Sequence, residues 1–167
     1  WDGAIWPFAS AQTLTAMANF MNNYPQTVLF DSVYFRQMEL YVESQYHRGR
    51  PYIGEYLYEV TGYWLKGDQE RSRYYNHSTF NDLMITGLIG LRPRLDDTIE
   101  VNPLIPADKW DWFCLHNVLY HGHNLTILWD KNGDRYHCGK GLRVFVDGKE
   151  AGHADTLTRL VCENALK

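Results

Sequence analysis

Gly54-Glu55-Tyr56-Leu57-Tyr58-Glu59-Val60-Thr61-Gly62 is a short acidic stretch closed by glycine at both ends. Outward from it, Trp1-Asp2-Gly3-Ala4-Ile5-Trp6-Pro7 lies before and Tyr74-Tyr75-Asn76-His77-Ser78-Thr79-Phe80-Asn81-Asp82 after. A carboxylate in a glycine-flanked loop, with Trp, Tyr, Asn and His in the flanking runs, supplies what a sugar site requires. Flat apolar faces meet pyranose rings, short polar groups meet hydroxyls, and one carboxylate can act as a base. The pattern points to carbohydrate chemistry.

Glu55 leads the candidates, because Gly54 lets the backbone approach a ligand and Tyr56 offers a stacking face. Glu59 is its rival four residues on, and either is equally readable as an ordinary loop carboxylate. Trp1 and Trp6, with Gly3 and Pro7 beside them, suit a ring-stacking wall or a buried aromatic cluster at a helix entry. Asp2 suits sugar hydroxyls or plain water. Asn76 and His77 stand where a helix begins, so that free N–H groups can orient a polar ligand, or Ser78 can simply cap the helix. Asn76-His77-Ser78 and Asn124-Leu125-Thr126 are formal glycosylation sequons of the kind that arise by chance. His116, His121 and His123 lack a paired carboxylate or cysteine nearby in sequence, so no metal site and no cofactor is expected.

At 167 residues the chain can bury a real core. A formal charge of −4, without a run of Lys or Arg, gives no electrostatic footprint for nucleic acid or an anionic membrane. No apolar run approaches the ~18 to 20 residues needed to span a bilayer. Cys114, Cys138 and Cys162 form no CxxC pair, so neither a zinc site nor a disulfide scaffold follows, although one disulfide with a thiol left over is possible. Opening on Trp1 inside a candidate site, the sequence reads as a piece of a longer protein.

Two halves differ in period. Leu14, Met17, Ala18 and Met21 recur at three and four residues, predicting a helix over 10–22 that ends at Asn22-Asn23-Tyr24-Pro25. Asp31 and Ser32 can cap a second helix running to about Tyr46. The stretch 47–75 shows no sustained period and reads as a long, functional loop. A third helix, apolar nearly all round, is predicted from Ser78 to Pro93. Beyond Arg94, strands are expected over 98–101, 112–120, 124–130, 141–146 and 156–162, with hairpin signals at Asn132-Gly133 and Asp147-Gly148.

Taken together, the motifs resemble a known group of enzymes. Trp1-Asp2-Gly3-Ala4-Ile5-Trp6-Pro7 resembles the W-x-G-P-x-W-P segment, and Glu55-Tyr56-Leu57-Tyr58-Glu59-Val60-Thr61-Gly62 the E-Y-Y-D-P-x-T-G segment, of glycoside hydrolases built on an (α/α)6 toroid. That group includes trehalases, processing α-glucosidases and mannosylglycerate-hydrolase-like enzymes, and the match covers roughly residues 1–92. The resemblance implies an α+β chain, with residues 1–94 holding helices and loops from the end of the toroid and 95–167 a small antiparallel β-sandwich. It implies Glu55 as general base of an inverting reaction, Trp1 and Trp6 as walls of the sugar pocket, and Asp2, Gly3, Tyr56, Glu59, Asn76 and His77 as further binding residues. Ala4 in place of Pro, and Tyr58-Glu59 in place of Asp-Pro, depart from the pattern and bear on substrate.

In that group the general acid is an aspartate far upstream, so the N-terminal remainder of the same enzyme is the expected partner, and this stretch alone is expected to be inactive. An oligosaccharide or glycoside is the expected substrate, with a periplasmic or extracellular location following from that class. A glycoside phosphorylase on the same toroid, an α-L-rhamnosidase-like enzyme and a non-catalytic carbohydrate-binding module are the alternatives.

Overall fold

The computed structural model describes residues 3–66, 69–75 and 79–167. The chain divides into two compact units, Trp1–Leu83 and Met84–Lys167. It mixes α and β structure, as the sequence predicts.

In the first unit, helix α1 spans Pro7–Asn23 and helix α2 spans Asp31–Ser44. Pro7 opens α1 because a proline at the first helical position loses no hydrogen bond that the helix would have made. Pro7, Ala11, Leu14 and Ala18 are buried at intervals of four, three and four, one stripe along the helix. Tyr34, Phe35, Met38 and Tyr41 form the buried stripe of α2. Capping of α2 differs from expectation: Phe30 occupies the cap without a side-chain bond, and Asp31 sits in the first turn. Burial pushes the Asp31 carboxyl above its ordinary range. Gln26 organises the preceding turn, its side-chain oxygen accepting from the N–H groups of Val28 and Leu29 at 2.8 Å each.

The stretch after α2 is less loose than its composition predicts. Strands β1 (Tyr46–His47) and β2 (Arg50–Pro51) pair as a tiny hairpin, and Glu70–Ser72 forms a 3-10 turn. Tyr52, Leu57 and Trp64 build a small aromatic core under the rest of it. The third helix also departs from expectation. Only Phe80–Asp82 (α3) is α-helical, and Leu83–Leu88 widens into a π-helix. The element ends at Leu88 rather than running to Pro93, and the chain turns at Gly90. Gly90 has φ +81, and a Cβ there would stand 2.0 Å from the Asn102 carbonyl oxygen, so the chain must turn at a residue without a side chain.

The second unit is built from antiparallel sheets. Strands β3 (Leu91–Arg92), β4 (Ile99–Val101) and β9 (Leu160–Cys162) form one, with β4 in the middle and its Ile99 and Val101 fully buried. Strands β5 (Trp112–Tyr120), β6 (His123–Asp130), β7 (Gly141–Val146) and β8 (Lys149–Ala154) form a four-stranded meander. Leu125, Ile127, Leu142 and Val144 are fully buried on its inner face, each contributing about 1.5 to 3 kcal/mol by removal from water. Gly152 of β8 lies against Cys162 of β9, where a Cβ would come within 2.6 Å of the sulfur, and so brings the two sheets together. The Asp147-Gly148 turn has positive φ at both residues, as a two-residue hairpin requires.

Polar groups in this unit are held by local partners. Glu100 accepts from Arg159 Nε at 2.9 Å and Arg94 Nη1 at 2.8 Å, and these bonds, that of Arg159 foremost, hold its carboxyl below the ordinary range against the opposing effect of burial. His116 bonds Thr126, and His123 bonds Asp147 at 2.7 Å. Among the described residues no three His, Cys, Asp or Glu side chains gather as a metal site, and no helix is long and apolar enough to cross a membrane.

Asp130, 3% exposed, organises the β6–β7 connection by accepting the backbone N–H groups of Gly133 at 2.9 Å and of Arg135 and Tyr136 at 2.8 Å. Burial pushes its carboxyl up, but the N–H groups of Tyr136, Gly133, Arg135 and Asn132 outweigh that and leave it below the ordinary value. A depressed folded value adds stability above the unfolded value of about 3.9, and that stability is lost as pH falls through the folded value. Asp130→Ala should cost about 1 to 3 kcal/mol at pH 7, because three backbone donors lose a charged acceptor. In urea titrations at pH 7 and pH 3, Asp130→Asn should start less stable than the native chain and lose less on acidification.

Candidate active site

The acidic stretch is a backbone-paired hairpin rather than an open loop. Tyr58 N–H donates to Tyr63 at 2.8 Å, Gly62 N–H to Tyr58 at 2.7 Å, and Leu65 N–H to Tyr56 at 3.3 Å. Leu57 bridges Trp64 on one side and Ile5 on the other. Ile5 and Leu57 exchange both of their N–H···O bonds at 2.9 Å. The segment around Gly3 and Trp6 is therefore laid beside the Glu55–Gly62 hairpin as an added strand, although fifty residues separate them in sequence.

Side chains follow from that pairing. The rings of Trp6 and Tyr56 lie 4.6 Å apart at 32°, forming one aromatic surface, and Lys66 Nζ stands 5.0 Å from the centre of the Tyr56 ring. Gly3, at φ +78, sits against the Glu59 carboxylate, where a Cβ would come within 2.9 Å of Oε1. Glycine in the first segment is thus tied to a carboxylate in the second.

Glu55 is covered, its side chain 13% exposed. Ser72 Oγ donates to its Oε2 at 3.1 Å, and Arg71 Nη2 stands 4.0 Å from the same oxygen. Gly54 explains how the carboxylate is aimed. Its backbone presses on the rings of Tyr52 and Trp64, to which a Cβ would come within 2.5 and 2.6 Å. Trp64 is itself anchored through Nε1 to the Tyr46 carbonyl at 2.9 Å.

The structure thus brings together Trp6 with Tyr56, and Gly3 with Glu59. Trp1, Asp2, Asn76 and His77, the other predicted site residues, lie outside the described residues. A cavity of about 810 Å³ opens between α1, α2 and the Ala4–Pro7 segment. Trp6 borders it but Glu55, Tyr56 and Glu59 do not, and its wall of Leu14, Met17, Val33 and Leu40 is apolar. It reads as an unfilled helix-packing groove separate from Glu55. Arg71 and Ser72 were not foreseen from sequence. They belong to the charged run Glu70-Arg71-Ser72-Arg73, which carries no periodic or motif signal, and only the folded chain brings them to a carboxylate 17 residues earlier.

Gly54→Ala should displace Tyr52 or Trp64 and destabilise the hairpin by about 1 to 3 kcal/mol, the usual cost of overpacking a filled site. The measurement is thermal unfolding together with a shift in tryptophan emission.

Residues 1–78 match the mannosylglycerate hydrolase MGH1-like glycoside hydrolase domain, and residues 91–153 match the C-terminal domain of glycosyl hydrolase family 65. A solved structure named sialidase is similar over 99% of this chain at 96% identity, with a TM-score of 0.97. The chain spans 15% of the length of that protein. Both halves of the chain are thus similar to domains found in glycoside hydrolases, an MGH1-like stretch followed by a stretch of the family 65 C-terminal type.

Proposed function

We propose that this chain supplies the general base and part of the sugar pocket of an inverting glycoside hydrolase acting on an α-linked glycan. The observation that carries the reading is the setting of Glu55: a carboxylate largely shielded from solvent, tethered through Oε2, on a hairpin that also carries an aromatic surface. With Oε2 held by Ser72, Oε1 is the oxygen that accepts a proton from water, and the resulting hydroxide-like oxygen attacks the anomeric carbon. The general acid comes from elsewhere in the longer protein and protonates the leaving oxygen on the opposite face. Inversion sets the two carboxyl groups ~6.5 to 9.5 Å apart, so that the water fits between.

Trp6 and Tyr56 stack on a sugar ring, and Gly3 holds Glu59 toward its hydroxyls. Trp1, Asp2, Asn76 and His77 complete the pocket by resemblance. The (α/α)6 toroid is supported by apolar side chains that the two helices leave exposed. Phe8, Val33, Leu40 and Val42 are all at least 39% exposed, an apolar surface that suits neighbouring helices. The chain alone is inactive on this reading, because the acid is supplied by the rest of the enzyme.

The sialidase name of the similar structure favours a second substrate class, glycosides of an acidic sugar. Such a sugar brings its own carboxylate and needs a cation to receive it. The paired rings of Trp6 and Tyr56 offer flat apolar faces to a pyranose ring, which supports the reading of neutral α-linked sugars.

The full-length enzyme, tested on α-linked glucose and mannose disaccharides and on 3′-sialyllactose, should release a neutral sugar of inverted configuration, as seen by proton NMR. Glu55→Gln should lower kcat by about 10² to 10⁴, with sugar binding by calorimetry changed by less than about threefold. Retained turnover would reject Glu55 as the base, and retained configuration would reject inversion.

A further inference from the structure

We infer that Ser72 is the positioning residue for Glu55, fixing Oε2 and so leaving Oε1 to work on water; the inference rests on the assignment of Glu55 as base. Ser72 is 1% exposed, so its hydroxyl cannot turn to bulk water and needs a partner inside the protein. That partner is Glu55 Oε2 at 3.1 Å. Its backbone N–H is already committed to the Gln69 carbonyl at 3.0 Å, closing the 3-10 turn, so the hydroxyl is not needed to build the turn. Alanine would serve the turn equally well.

The donor is held to the base by more than one bond. Two residues beyond Ser72, Tyr74 N–H donates to the Ile53 carbonyl at 2.7 Å, two residues before Glu55. Tyr74 takes φ +64, a left-handed backbone that a bulky residue adopts only under constraint from its surroundings. The segment carrying the hydroxyl and the segment carrying the carboxylate are thus locked in register, and a glutamate with three rotatable side-chain bonds is reduced to one presentation. A reacting group misplaced by about 1 Å can lose about 10² in rate, so the lock bears on kcat rather than on binding. Arg71, 70% exposed and 4.0 Å away, is too loosely held to do the same.

The test compares Ser72→Ala, Ser72→Thr and Glu55→Gln in the full-length enzyme, on whichever disaccharide of the panel above the native enzyme cleaves. Ser72→Ala should lower kcat about tenfold or more while KM stays within about twofold and the melting temperature within a few degrees. Ser72→Thr, which keeps the hydroxyl, should recover most of the loss. Native kcat in Ser72→Ala, with Glu55→Gln inactive, would overturn the positioning role and leave the base assignment standing; an active Glu55→Gln would remove the base itself. A crystal structure of the Ser72→Ala chain decides independently of substrate: the Glu55 carboxylate should leave its native rotamer, and an unmoved carboxylate would overturn the inference.

Discussion

The reciprocal pair of backbone hydrogen bonds between Ile5 and Leu57 is the constraint on which the candidate site depends. Two segments fifty residues apart are brought side by side, at a cost in chain entropy that local contacts alone do not recover. The bonds are supported from beneath by Leu57, 3% exposed, and by Trp64 and Tyr52 packed around it. Once Ile5 and Leu57 are paired, Trp6 meets Tyr56 and Gly3 meets Glu59 with little further ordering. The aromatic surface and the second carboxylate are consequences of one backbone register.

Glu55 is fixed separately. Its hairpin sets where the carboxylate begins, and the turn carrying Ser72 sets where it ends. The close approach of Gly54 to two rings, the anchored indole of Trp64 and the left-handed Tyr74 all act to keep the two segments from sliding past one another. Such stiffness is what the proposed role of Glu55 as a base would require.

Much of the fold was legible because burial leaves a period in the sequence. Leu14 and Ala18 marked the inner face of α1, and the Asp147-Gly148 signal marked the end of β7, where both residues take positive φ. Other elements left no such trace. Strand β8, Lys149–Ala154, is a polar edge strand whose bonds are supplied by β7, so no apolar alternation announced it. The helix after Thr79 was read too long, since its apolar residues continue past Gly90 into β3, and composition does not distinguish a buried π-helix from a buried strand. In the site, Glu55, Trp6, Gly3 and Glu59 were marked by glycines and aromatics in recognisable order. Ser72 was not, because a lone serine among charges gains meaning only from what the fold places beside it.

Because the clamp between the first segment and the hairpin is made of main-chain groups, it is indifferent to most side chains it joins. Ala4, Tyr58 and Glu59, the positions at which this chain departs from its relatives' pattern, all lie next to that clamp without supplying its bonds. Val60, Thr61 and Gly62 project at the hairpin tip, with Val60 74% exposed. Substitution can therefore rewrite the rim while the backplate behind it keeps its shape, which lets one scaffold present different surfaces at the hairpin tip.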